Sequence, residues 1–326
     1  LYYLVVTAAN GGEYTRIISQ GFRCICMCLL GFQVLTNRTK GMLKGALLYF
    51  EVLTYITLIL IILFPKGLYN LDLKRIYCFL GHQNTVFRTL LPGLILSIIN
   101  SFDQKGKLTI RSWSMLCAVF ANTIMLNAST ALAALGLTII CLLLFGSQKR
   151  KFTFFTFKNI FLGSICLCIL VVFLENLTFY SNFVENILGK SMTFSGRTLA
   201  WDRALLAIYK NPVFGYGYKN DTLGYFFWQA FDGNRSCHNF YLDIVYRTGV
   251  IGITIIVILI LASSKLIDRM HANSFNKVLS ILSISYFISW NFEPFVDNEL
   301  CYALLPILLT AFCFSNACSF KILNNT

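Results

Sequence analysis

Residues 195–262 read SGRTLAWDRALLAIYKNPVFGYGYKNDTLGYFFWQAFDGNRSCHNFYLDIVYRTGVIGITIIVILILA. Up to Gly252 the segment is polar, aromatic and punctuated by glycine. From Val250 to Ala262 it is hydrocarbon, interrupted only by Gly252 and Thr254. A polar island that runs straight into a membrane-type helix decides the reading of the chain. The flanking helices hold this island at one face of a bilayer, and nearly all the chemistry falls within it.

Composition supports the hydrocarbon half of that reading. Apolar residues make up 57% of the 326 residues and charged residues 13%, against about 25% charged in a soluble domain. Long apolar runs recur, for example at Ile160–Leu174. They are continuous rather than alternating, which excludes a porin-like barrel. The expected fold is an all-α polytopic membrane protein, with about ten transmembrane helices and one large extracytoplasmic loop containing short helices.

Taken in order, the apolar run Leu1–Ala9 is too short to span a bilayer and reads as a truncated first helix. Further helices are expected at Thr15–Leu35, Gly45–Phe64 and Thr85–Phe102. Two more fill Ser112–Gly146, with a tight polar turn at Asn127–Thr130. Others cover Asn159–Leu174, Asn239–Ala262, a segment ending near Trp290, and a last one reaching Ser319. Basic residues cluster at Arg38–Lys44, Lys105–Arg111, Lys149–Lys158, Lys265–Lys277 and Lys321. Counting crossings puts all of these on the cytoplasmic side, as the positive-inside rule requires. The chain then divides into N-terminal transmembrane helices (1–174), an extracytoplasmic catalytic loop (175–238) and C-terminal transmembrane helices (239–326).

The formal charge of +13 would point to nucleic acid in a soluble protein. Here about half of the Lys and Arg set topology, and no nucleic-acid partner is expected. Lys190, Arg197, Arg203, Lys210, Lys219 and Arg235 lie in the external loop and break that trend. An anionic substrate explains them. Most of the 12 cysteines lie in apolar runs and read as small buried hydrophobes. Cys237 adjoins His238, but sequence neighbours on a loop rarely align as a nucleophile and its base.

Within the loop, Thr193–Lys210 reads as a loop-to-helix unit in which Ser195-Gly196 supplies a turn and a cap for the helix that follows. It places Trp201, Leu205, Ile208 and Tyr209 on one apolar helical face, and Asn211-Pro212 stops it. Such a helix suits the membrane interface. Arg197 stands at its N-terminus, where free backbone N–H groups and a guanidinium together suit phosphate. Snorkelling is the other reading of that side chain. Phe214–Tyr218 is a glycine-aromatic turn, suited either to sugar stacking or to an interfacial belt. His238 is either a general base or a surface residue at a helix start. Asp243 and Arg247 are spaced four apart, acid first, as a helical ion pair. Gly249 and Gly252 allow close helix contact.

The ordered set S-G-R-T-x-x-W (Ser195–Trp201), N-P-x-x-G-x-G (Asn211–Gly217), H-N-x-x-L (His238–Leu242) and G-x-x-G (Gly249–Gly252) resembles the O-antigen ligase and polymerase family. Gly81–Asn84 resembles a further, weaker motif of it. The resemblance implies a membrane glycosyltransferase of the bacterial cytoplasmic (inner) membrane that needs no cofactor and no metal. Its implied donor is an undecaprenyl-diphosphate-linked oligosaccharide, and its acceptor a glycan. By motif match, His238 is the base and Arg197 the diphosphate ligand. Family members carry a second arginine near the outer end of the sixth helix, where this chain has Asn127-Ala128-Ser129-Thr130. Arg203, Arg235 and Arg88 are the expected substitutes, with Asn239, Trp201 and Tyr216 as further substrate contacts. Membrane lipid, a chain-length regulator and a flippase are the other implied partners. Polymerisation of repeat units into O-antigen or capsular polysaccharide is the expected activity, and ligation to a lipid A-core or other acceptor is its alternative. A flippase, the rival from another class, would show internal repeats and broken helices at the midplane. No repeat is evident, and charges inside the expected helices are few: Arg23, Glu51 and Arg88.

Overall fold

The computed structural model describes residues 1–15, 17–22, 25–26, 40–68, 76–145, 155–173, 197–218, 237–269 and 274–293. These are mostly helical. The labelled elements are α1 (Tyr2–Ala9), α2 (Lys40–Leu63), β1 (Tyr77–Cys78), β2 (Gly81–His82), α3 (Gln83–Lys105), α4 (Ile110–Met125), α5 (Ser129–Phe145), α6 (Phe157–Phe173), α7 (Arg197–Lys210), α8 (Phe240–Arg269) and α9 (Ser274–Phe292). The expected second helix falls partly outside the described residues, and the last one entirely outside them.

Three helices are long and apolar enough to cross a membrane: Lys44–Leu63, Thr85–Phe102 and Phe240–Lys265. Ser129–Phe145, Phe157–Phe173 and Val278–Phe292 are shorter apolar helices. These are the apolar helices among the described residues, and the spans expected at Thr15–Leu35 and beyond Trp290 fall partly or wholly outside them. Side-chain orientation says which solvent they meet. In α2 the polar Glu51, Thr54 and Thr57 are buried, while Leu48, Val52, Ile56, Ile59 and Ile62 are exposed. A water-soluble helix would turn the opposite way. Lipid favours this arrangement, because polar groups there must find partners inside the protein.

The chain forms two compact units. One contains 26–160, 263–289 and 301–326. In it, α2, α3 and α4 pack on one another and α4 packs on α5. A Thr109–Ser112 capping box opens α4, satisfying N-terminal donors reciprocally. Polar contacts join the helices. Asn122 Nδ2 donates to the Thr54 carbonyl at 3.3 Å, and the Thr138 and Ser285 hydroxyls meet at 2.7 Å. Glu51, singled out as a charge inside a helix, accepts from both Nε and Nη2 of Arg111, the latter at 2.7 Å. A two-residue antiparallel hairpin, β1–β2, stands in the segment expected to be a plain loop.

The Glu51–Arg111 fork gives a test of this packing. The Arg111 side chain is half exposed, so its contribution is discounted for solvent. Glu51→Ala is expected to lose about 1–2 kcal/mol, read as a lower midpoint of thermal unfolding in detergent. The Glu51→Ala/Arg111→Ala double variant should lose less than the sum of the two single changes.

Candidate functional site

The second unit, 1–25, 161–262 and 290–300, contains the polar island. Its central feature is a break in α8. Gly249 has φ 63 and ψ −169, which is non-helical and accessible essentially only to glycine. The ladder around it is replaced by contacts from elsewhere. Tyr216 N–H donates to the Tyr246 carbonyl at 3.0 Å and Gly217 N–H to the Arg247 carbonyl at 2.7 Å. The Tyr2 hydroxyl donates to the Thr248 carbonyl at 3.1 Å. Val250 N–H donates to the Pro212 carbonyl at 2.8 Å, and Ile251 N–H to that of Val213 at 3.4 Å. The segment Pro212–Gly217 therefore supplies the partners that a helix would have supplied to itself.

The sequence of the plug follows from this fit. Asn211-Pro212 ends α7 as expected, with the Asn211 N–H bonding back to Ala207 and Ile208. The Asn211 side chain then donates to the Gly215 carbonyl at 2.8 Å. Gly215 has φ 71, and a Cβ there would lie 2.6 Å from the Gly249 nitrogen. The N-P-x-x-G-x-G and G-x-x-G motifs are thus two halves of one backbone contact. The spacing of Gly249 and Gly252 predicts close packing of helices there. The left-handed φ of Gly249 and its contact with a loop correct that.

His238 stands where the island meets α8. It has φ 48, one of the two non-glycine residues with positive φ among the described residues, and it is partly exposed. Its neighbours are fixed on both sides. Cys237 is buried; its N–H donates to Asp243 Oδ1 at 2.9 Å, and its carbonyl accepts from Trp201 Nε1 at 2.9 Å. Asn239 caps α8: its carbonyl accepts from Asp243 N–H at 3.0 Å and its Oδ1 from Leu242 N–H at 3.1 Å. Asn239 Nδ2 donates to the Asn291 carbonyl at 3.1 Å. Behind it, Asn291 Nδ2 donates to Ser164 Oγ at 3.0 Å, and that hydroxyl meets the Tyr241 hydroxyl at 2.8 Å. Phe240 stacks on Trp290 at 4.2 Å between centroids.

Several of the expected substrate contacts are buried in the fold. Asn239 is fully buried and engaged as a cap. Trp201 is fully buried on the Cys237 carbonyl. Tyr216 is buried and stacked on Tyr246 at 5.1 Å, with its hydroxyl donating to the Ala207 carbonyl at 2.9 Å. The buried face of α7 is Ala200, Trp201 and Ala204, and Tyr209 is 85% exposed rather than on that face. Arg197 is the first residue of α7; its side chain and all of Arg235 lie outside the described part. Arg203 lies half-buried on α7. Arg88 belongs to α3 in the other unit, with Nη2 donating to Thr85 Oγ1 at 3.2 Å.

Two charged residues gain importance. Asp243 is 1% and Arg247 6% exposed, so both are enclosed in the fold. Asp243 holds the Cys237 N–H, while Arg247 lies 5.2 Å from the centre of the Tyr218 ring, with Nη1 3.3 Å from the Tyr3 hydroxyl. Burial pushes the Cys237 thiol well up, and the Asp243 carboxylate raises it further. A fully buried thiol raised in this way lacks the exposed, electropositive setting of a reactive cysteine. Helix α1 completes the unit: Thr7 Oγ1 accepts from the Tyr218 N–H at 2.9 Å. No periodicity announces a partner more than two hundred residues distant.

These features define a helical membrane protein whose discontinuous helix is completed by a polar loop carrying a histidine at its rim. Residues 113–257 match the model of the family described as O-antigen ligase. That match covers less than half of the chain but spans the arginine, histidine and glycine motifs, and it supports similarity to the O-antigen ligase and polymerase family and a polysaccharide-biosynthesis setting. No curated relative matches the chain, and no solved structure does.

The break at Gly249 makes a sharp contrast with ordinary helix glycines. A Cβ at 249 would lie 2.0 Å from the Val213 oxygen, whereas one at Gly136 in α5 meets nothing within 4 Å. Gly249→Ala is expected to cost roughly 2–4 kcal/mol through strain and overpacking. Gly136→Ala should be neutral or stabilising by up to about 1 kcal/mol. Thermal unfolding of the two variants in the same detergent checks both.

Proposed function

We propose that this chain is a membrane glycosyltransferase that joins undecaprenyl-diphosphate-linked oligosaccharide repeat units into O-antigen or capsular polysaccharide. Proteins of the matched family are membrane enzymes of the glycosyltransferase type. The observation that carries the proposal is His238: a partly exposed histidine in the left-handed region, between two anchored residues, inside the family match. Backbone strain held by its surroundings concentrates at functional sites.

In this proposal the polyprenyl tail stays in the bilayer and the diphosphate is met at the outer face of the cytoplasmic membrane. Segment 175–238 is extracytoplasmic, within a ten-span topology of N-terminal helices (1–174) and C-terminal helices (239–326). Arg197, at the first turn of α7, meets the diphosphate together with N–H groups of that turn. Arg203, Arg235 or Arg88 supplies a second cation. His238 takes the proton from the acceptor hydroxyl as the oxygen attacks the anomeric carbon. The glycosidic bond to diphosphate breaks with inversion, and the leaving group departs with its charge balanced by arginine. No metal step is required.

Ligation to a lipid A-core or other acceptor is the second reading, because the matched family is described as O-antigen ligase. Loss of the gene separates the two: a polymerase defect leaves single repeat units attached, and a ligase defect leaves long chains on the lipid carrier.

His238→Ala and Arg197→Ala, each restored to a deletion strain at wild-type protein level, should lower polymer formation by about 10²–10⁴-fold and at least 10-fold, respectively. Gel analysis of the polysaccharide reads the outcome. Full-length polymer at wild-type abundance from the His238→Ala strain would remove the general-base assignment.

A further inference from the structure

The Cys237 peptide is held from two directions. Its carbonyl accepts from the Trp201 indole and its N–H donates to Asp243, both at 2.9 Å. On the far side of His238, Asn239 is locked as the cap of α8. His238 is thus the one residue of the three left partly exposed. Of these anchors, only Trp201 comes from α7. It lies four residues, or about 6 Å of helix rise, from Arg197 at the start of the same helix.

We propose that Trp201 is a positioning residue: its indole N–H sets the aim of His238 through the Cys237 carbonyl. The inference rests on the assignment of His238 as base. An indole is rigid, with two side-chain torsions, and this one is fully buried. One hydrogen bond from it therefore defines a position rather than a range. The R-T-x-x-W spacing then has a physical reason: the anion-facing turn and the histidine segment are joined by a single side chain one turn further on. A base displaced by about 1 Å loses on the order of 10²-fold in rate.

The test replaces the donor while keeping the ring. Trp201→3-benzothienylalanine exchanges the indole N–H for sulfur, and Trp201→Phe shortens the ring. Full-length variants in proteoliposomes are supplied with lipid-linked oligosaccharide extracted from the host, and turnover is expressed per folded molecule. Both variants should lose roughly 10- to 100-fold in kcat, with KM for the lipid-linked donor within about twofold and the benzothienyl variant melting within a few degrees of wild type. On a His238→Ala background, Trp201→Phe should slow the reaction no further, because the tryptophan acts through the histidine. Wild-type kcat in the benzothienyl variant, or an added loss in the double variant, would overturn the positioning role. Wild-type turnover by His238→Ala alone would instead overturn the base assignment, so the two failures are separable.

Discussion

A helix that loses its ladder within an apolar segment must find other hydrogen-bond partners, since an unsatisfied backbone group in hydrocarbon costs several kcal/mol. At Gly249 the released carbonyls of Tyr246, Arg247 and Thr248 and the N–H groups of Val250 and Ile251 all find partners, in Tyr216, Gly217, Tyr2, Pro212 and Val213. This fit links three distant stretches of chain: α1, the turn after α7, and the start of α8. It also dictates their residue types, because Gly215 and Gly249 approach closer than any Cβ allows.

The same arrangement explains why polar and charged side chains lie buried beside a membrane helix. The break leaves the first turns of α8 surrounded by protein, so Asp243 and Arg247 can be enclosed among Tyr3, Tyr218 and the Cys237 backbone. A second polar cluster, Ser164, Tyr241, Asn239 and Asn291, ties α6, α8 and the end of α9 together beneath the histidine. Intramembrane polar groups of this kind join helices where apolar surface gives no preference over lipid. His238 therefore stands on a stiff support while itself remaining reachable, as acid–base chemistry requires.

Much of this was legible in the sequence. Hydrocarbon runs without charge gave a helical membrane protein, and Asn211-Pro212 gave the end of α7 at Lys210. Asn127–Thr130 marked the turn between α4 and α5, where Asn127 adopts φ 51. The His238-Asn239 pair marked the start of α8. What stayed hidden depends on contacts between remote residues. A glycine in an apolar run signals either close packing or a left-handed turn, and at Gly249 only the position of Val213 decides. Periodicity put Tyr209 with Trp201, yet burial follows the actual neighbours, which lie over Ala200 and Ala204. Asp243 also holds the folded-back peptide of Cys237, which spacing along one helix does not report. The role of α1 has no local signature at all.

The central claim is that the chain breaks a sugar–diphosphate bond in a lipid-linked donor and makes a new glycosidic bond. The most direct measurement follows undecaprenyl diphosphate and polymer together, in proteoliposomes holding the purified full-length protein and host lipid-linked oligosaccharide as the sole added substrate. One undecaprenyl diphosphate released for each repeat unit joined, with both products lowered about 10²–10⁴-fold for His238→Ala, is the expected result. Movement of intact lipid-linked oligosaccharide across the bilayer, with neither undecaprenyl diphosphate released nor polymer formed, would contradict it.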